Sequence, residues 1–280
     1  MKMTQKIPLI ALMVLALHGS PSAAASPKRI VSLNVCTDQM AMLLADEGQL
    51  LSVSFLASDP NTSALAEHAG RYAVNHGSAE EVYMLKPDLV LAGTFTTRTT
   101  VDLLRRRGIP VEEFAPPASF EEMKAEFRRM GDVLGWRDRA EAILADFDAE
   151  LARLRANPVP DRRVALYYAN SYSSGAGTLV DEVVQAAGLR NVGREAGLTG
   201  TGILPLEMLV MADPDIIVVA DDHYDAPALA QQNFRHPAYL DLVARKKSAV
   251  LPPALTVCGG PFTLEAVRLL QEAAKGTGTP

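Results

Sequence analysis

The sequence predicts an α/β fold in which two similar parallel-sheet lobes are joined by one long, rigid α-helix. Three observations predict it. Residues 137–157, RDRAEAILADFDAELARLRAN, place apolar side chains at Ala140, Ile143, Leu144, Phe147, Leu151 and Leu154, the three-and-four spacing of one helical face. The segments flanking this stretch resemble each other: SAEEVYMLKPDLVLAG (78–93) and LPLEMLVMADPDIIVVA (204–220) each carry a Glu seven residues before a Pro-Asp pair, followed by a short apolar run. Such internal similarity points to a repeated unit. In both halves, strand-like runs alternate with helical patterns, which gives parallel sheets covered on both faces.

The elements follow in order. Residues 29–33 read as a buried strand, 34–38 as a polar turn, 38–45 as a helix stopped near Gly48, and 50–55 as a second strand. Residues 57–77 lack periodicity and are rich in Asp, Asn, Ser and Gly, which reads as a loop. Ser78 with Glu81 forms a capping box for a helix to Leu85. Strand 89–92, helix 101–107 closed by Gly108, and strand 109–114 complete the first half. Ser119 with Glu122 caps a helix to about Met130, and the long helix follows Gly135, about 30 Å of it at 1.5 Å per residue. Pro158 and Pro160 end it, because a residue before proline disfavours helical dihedrals.

Beyond Pro160 the alternation resumes with strand 163–168, a Ser/Gly/Tyr loop (169–177), helix 178–187 and a glycine-rich loop (193–202). Pro205 occupies the first turn of the next helix, where proline is best tolerated. Strand 215–220, a helical region to about Ala244, strand 249–251 and helix 262–274 finish the second half. The expected division is 26–118 for the first lobe, 119–160 for the linker, 161–275 for the second lobe, and 276–280 for a disordered tail.

Residues 1–25 carry the marks of a cleavable export signal: Lys2 and Lys6, an apolar core from Ile7 to Leu17, and three small residues, Ala23 to Ala25. Its removal takes two lysines and no acids, so the formal charge of −6 becomes −8 in the mature chain. That balance argues against a nucleic-acid partner, which would want a basic face. No cysteine lies at the cleavage site to take a lipid, so the expectation is an unlipidated periplasmic protein.

In open parallel sheets, ligands bind beyond the carboxyl ends of the strands. The loops there supply Asn34, Thr37, Phe55, Thr94, Phe95, Arg98, Tyr172, Tyr224 and Thr256 as candidate ligand contacts. Hydroxyls, amides and aromatic rings dominate and Arg98 is the single cation, a composition suited to a bulky, nearly neutral ligand. No nucleophile elbow, S-x-x-K, H-E-x-x-H or P-loop pattern occurs, so no enzyme activity and no resident cofactor are expected. His68, His76 and His223 with Asp222 offer ligands for a bare transition metal, although without tight spacing. Cys36 and Cys258 both follow strands, one in each half. They are either a disulfide across the lobes or two buried thiols. Glu80 and Glu207 each fall in a first helical turn, where the helix dipole alone accounts for a carboxylate. Their matched positions on the cleft side add a further reading, since two carboxylates flanking one opening suit a partner with two basic sockets.

The run RIVSLN-x-C-T-D, then E-x6-KPDLVLAG, the joining helix, E-x6-DPDIIVVA and CGGPF resembles the substrate-binding proteins of ATP-driven importers for ferric siderophores, haem and cobalamin. The resemblance covers residues 28–274. It implies a ligand cleft between two lobes with limited hinge closure, and one Glu per lobe docking onto arginines of a permease, which maps to Glu80 and Glu207. The family's cobalamin binders often place a Trp in the cleft, whereas the single Trp here, Trp136, precedes the linker helix. The implied partners are a small-molecule metal chelate and an inner-membrane ABC permease with its cytoplasmic ATPase, served by a monomer. A hydroxamate-type ferric siderophore or a corrinoid suits the scarcity of cations better than a triply anionic catecholate complex. Haem is the other implied cargo, with Tyr172, Tyr224 or His223 as axial ligand.

Overall fold

A computed structural model describes residues 26–219 and 229–276. The first lobe runs β1 (Ile30–Ser32), α1 (Val35–Leu44), β2 (Leu50–Ser54), α2 (Ala66–Ala69), β3 (Ala73–Asn75), α3 (Ala79–Met84), β4 (Leu89–Gly93), α4 (Arg98–Arg106) and β5 (Val111–Phe114). Helices α5 (Phe120–Leu134) and α6 (Arg137–Arg155) connect it to the second lobe. There follow β6 (Arg163–Leu166), β7 (Tyr172–Ser174), α7 (Leu179–Ala186), β8 (Arg190–Asn191), α8 (Val192–Glu195), β9 (Thr201–Ile203) and α9 (Leu206–Ala212). The lobe closes with β10 (Ile216–Val219), α10 (Pro237–Arg245), β11 (Lys247–Val250) and α11 (Thr263–Lys275).

The first sheet has the order β3-β2-β1-β4-β5 and the second β11-β10-β6-β8, and every pairing in both is parallel. Each sheet is buried on both faces, as apolar runs without alternation require. On β1, Ile30 enters a core shared with the linker helices while Val31 turns outward against Val90, Val101 and Leu104. On the second sheet Val164 and Leu166 face the shared core, whereas Ala165 and Ile217 pack outward with Leu209 and Leu242.

The predicted fold class is what the structure shows, and its physical basis is the strut. Phe147, Leu151 and Leu154 of α6 lie in one continuous core with Leu44 of α1 and Leu270 of α11, so burial runs unbroken between lobes. Phe120 and Phe147 meet edge to face with centroids 5.3 Å apart. Polar contacts pin both ends of α6. Near its start, Arg139 Nη1 donates to the carbonyls of Leu44 (2.6 Å) and Ala45 (3.0 Å), and Trp136 Nε1 donates to Gln49 Oε1 (2.8 Å). Near its end, Gln271 Nε2 donates to the Leu154 carbonyl at 2.8 Å and Arg268 meets Glu150 at 3.0 Å. Across the lobes, Glu182 of α7 accepts from the backbone N–H of Phe120 at 2.7 Å, capping α5 with a carboxylate from the other half.

Five elements, α2, β3, β7, β9 and α8, form in stretches read as loops. The stretch read as a loop over 57–77 contains α2 and β3. Strand β3 is a three-residue edge strand with Ala73 and Val74 exposed, so it carries no burial pattern. Residues 172–174 and 201–203 pair as an antiparallel ladder, β7 with β9, built from Tyr, Ser, Thr and Gly rather than an apolar run. The glycine-rich stretch also opens with α8, where Asn191 caps the turn by accepting from the Gly193 N–H. Both capping boxes form in a displaced version. Ser78 accepts from the Glu81 N–H, but the Glu81 carboxylate reaches back to His76 rather than to the cap residue. Glu122 likewise accepts from the Ala118 N–H.

Candidate functional site

The carboxyl ends of the two sheets face each other. Cys36, just beyond β1, and Cys258, beyond β11, are joined as a disulfide with Cα atoms 5.1 Å apart. Sequence left this pairing open, because only the apposition of the two sheet edges brings residues 222 positions apart within reach. A cavity of about 490 Å³ opens at this junction. Pro116 and Pro117, leaving β5, form one wall, and Tyr168, Ser174, Thr256 and Val257 of the second lobe form the other. A second cavity of about 460 Å³ lies along α6, between Leu43, Ile143 and Phe262, away from the strand ends that position ligand loops.

Of the predicted contacts, Thr256 lines the junction cavity directly. Phe55, Phe95 and Tyr172 follow β2, β4 and β6 and are 50%, 86% and 42% exposed, so three aromatic faces from both lobes are free. Phe55 is backed by a stacked His76, ring centroids 5.7 Å apart. Thr94 is exposed, with its backbone N–H donating to Phe114 O. The Arg98 guanidinium is bound by Glu113 at 2.7 Å, and Arg105 shares that carboxylate at 2.8 Å. The one cation among the candidate contacts is thus already partnered. Tyr224, His223 and Asp222 lie outside the described residues.

Two predicted contacts have other work. Asn34 is the N-cap of α1, its Oδ1 accepting from the Cys36 N–H at 2.9 Å. Its carboxamide lies against Gly93, where a Cβ would come within 2.8 Å of Asn34 Cγ. Thr37 departs from expectation altogether. It is fully buried, its hydroxyl bonded to Ser32 Oγ (2.8 Å) and the Asn34 carbonyl (2.9 Å), because this face of α1 packs onto β1.

Below these residues is a group the sequence did not single out. Asp38 is completely buried, accepting from the Ser54 N–H and, at 2.5 Å, from Ser54 Oγ. Burial pushes its carboxyl up from 3.8 to about 6, against the lowering effect of the Ser32 and Ser54 hydrogen bonds. An Asp in a first helical turn reads as an ordinary dipole partner, and only the packing of β2 over α1 reveals the difference. Tyr168 was also missed. Its neighbour Tyr167 is fully buried in the outer cluster with Ala165 and Ile217, so alternation turns Tyr168 to the shared-core side, where it lines the cavity and burial raises its hydroxyl pKa. His76 is held by Glu81 at 3.1 Å, and among the described residues no three His, Cys, Asp or Glu side chains gather as a metal site.

Glu80 and Glu207 both project from the surface. Neither carboxylate has an ion pair or hydrogen-bond partner among the described residues, in contrast to Glu81 beside the first of them.

Comparison with known proteins accords with this geometry. The family model described as "Periplasmic binding protein" matches residues 30–252. A protein of Halobacterium salinarum named cobalamin-binding protein is 30% identical over 212 residues, 73% of this chain. The match spans 57% of that relative's own length. An uncharacterized ABC transporter substrate-binding lipoprotein of Bacillus subtilis, YvrC, is 24% identical over 258 residues, 88% of this chain and 80% of that one. Among solved structures, the periplasmic heme-binding protein RhuT of Roseiflexus sp. RS-1 superposes with a TM-score of 0.69 at 23% identity, over 88% of this chain and 99% of that one. Two parallel-sheet lobes on a helical strut, with strand ends apposed around a cleft, complete the match, and the chain belongs to the periplasmic binding protein family.

Proposed function

We propose that this protein is an exported, unlipidated monomer that captures a corrinoid between its lobes and delivers it to an ABC-type inner-membrane permease. The observation that carries the cargo reading is the character of the opening. Among the described residues, the loops after the strands carry three exposed aromatic rings, Phe55, Phe95 and Tyr172, and hydroxyls such as Thr94, while the one cation among the candidate contacts, Arg98, is paired with Glu113. A large, nearly neutral chelate gains stacking area and hydrogen bonds here, whereas a multiply anionic one is repelled. The relative named cobalamin-binding protein supports a corrinoid, and a neutral ferric hydroxamate fits the same chemistry.

Haem is the second reading. Tyr172 favours it, as an exposed phenol in the second lobe that suits a haem iron.

Delivery rests on Glu80 and Glu207, which act as two separated anionic pegs for arginines on the permease. Replacing both by Ala tests this. Permease-dependent uptake is expected to fail while ligand affinity is unchanged. Uptake that survives the double change leaves the carboxylates with only their helix-dipole role.

A further inference from the structure

The internal repeat extends past the two carboxylates. Aligning 80–88 with 207–215 matches Met84 to Met211, each four residues beyond its Glu and hence one turn along the same helical face. Both thioethers stand in solvent, Met84 77% exposed and Met211 85%. Beside each lies a shallow groove. On the first lobe it lies between α3 and α4, about 240 Å³, with Met84, Tyr83 and Leu103 along it and Glu80 at its edge. On the second lobe it lies between α8 and α9, about 220 Å³, with Met211, Met208 and Val192 along it. Each groove is also lined by an arginine. Arg107 lies over the Tyr83 ring at 5.8 Å, and Arg163 pairs with Glu195 at 2.6 Å.

Single exposed apolar residues need no explanation, but the same residue, similarly exposed and one turn beyond a free carboxylate at the equivalent helical position in both halves, does; the grooves themselves flank different sides of the two helices, α3 on the side of α4 and α9 on the side of α8. We propose that each lobe docks through a two-part site, a free carboxylate and, one turn away, a methionine with its groove. The partner is a two-fold symmetric protein face that presents the same pair twice: an arginine for the Glu and an apolar side chain for the Met and groove. Two matched Glu–Met pairs on this chain call for two matched sites on the partner, which a homodimer supplies. The adjacent carboxylates argue against an anionic lipid surface. The flexible thioether suits a contact that must form and release in every cycle. This inference rests on the docking role of Glu80 and Glu207.

The test measures affinity for the detergent-solubilised importer complex whose ATPase the wild-type chain stimulates, using Met84→Ala, Met211→Ala, both together, both as Leu, and Glu80→Ala with Glu207→Ala. Each Met→Ala change is expected to weaken binding about tenfold and the pair about a hundredfold. The double Leu variant is expected to stay within about threefold of wild type, and ligand affinity and melting temperature should not move. Full affinity in the Met→Ala variants alongside a loss in the Glu variants overturns this proposal alone. Full affinity in both sets overturns the docking role as well. Loss confined to one lobe overturns the paired arrangement. Sedimentation that shows a dimer of this chain dispersed by the Met→Ala changes would instead make the patch a self-association face and overturn the proposal.

Discussion

Replacing the buried carboxyl of Asp38 isolates one electrostatic penalty in the first lobe. A pKa moved from 3.8 to about 6 makes the charged form less favourable in the fold by about 3 kcal/mol. Between those two values the native chain holds a proton that the unfolded chain has lost. This group's contribution to stability therefore falls as pH rises through that window and stays lost above pH 6. In Asp38→Asn the carboxamide never ionises. It keeps an acceptor for the Ser54 N–H and gains a donor for the Ser54 or Ser32 hydroxyl oxygen. D38N is thus expected to match wild type only below about pH 3.8, to exceed it by about 1 kcal/mol at pH 4.5 and by about 3 kcal/mol at pH 7.5, a rise of several degrees in melting temperature. The assay is thermal unfolding of both proteins from pH 4.5 to 8. Parallel curves, or a D38N protein less stable than wild type above pH 7, would refute the assignment of desolvation as the dominant effect.

Removing the disulfide with C36S and C258S frees a loop of 222 residues in the unfolded chain, a loss of at most about 5 kcal/mol, read as a lower denaturation midpoint. The strut and shared core should keep the variant folded, with unchanged circular dichroism. Phe55→Ala and Phe95→Ala, both at exposed positions, are expected to weaken cyanocobalamin binding about tenfold each with no change in melting temperature. Glu182→Ala removes the carboxylate that caps α5 and should lower stability by about 1 kcal/mol in chemical denaturation, with ligand affinity intact.

What the sequence disclosed follows from the range of the forces involved. The strut was legible because six apolar residues keep helical spacing over nineteen residues and proline closes the segment. The central strands β1, β4, β6 and β10 were legible because burial on both faces demands uninterrupted apolar runs. The edge strand β3 and the β7–β9 ladder were not, since exposed or polar strands are specified by their neighbours rather than by their own pattern. At the site, exposed rings such as Phe95 could be placed at a strand end from position alone. Whether Thr37 faced the opening or the sheet depended on the rotation of α1, a tertiary quantity. The Cys36–Cys258 bond and the Arg98–Glu113 pair likewise depend on how sheet edges and neighbouring strands come together.

The central claim is that the opening between the lobes takes a corrinoid. Isothermal titration of residues 26–280 with cyanocobalamin tests it most directly, with a neutral ferric hydroxamate and hemin titrated in parallel. The account predicts one cyanocobalamin per chain with a dissociation constant below about 1 μM, roughly −8 kcal/mol, and weaker binding of hemin. No heat with cyanocobalamin, or hemin bound more tightly than either neutral chelate, would contradict it.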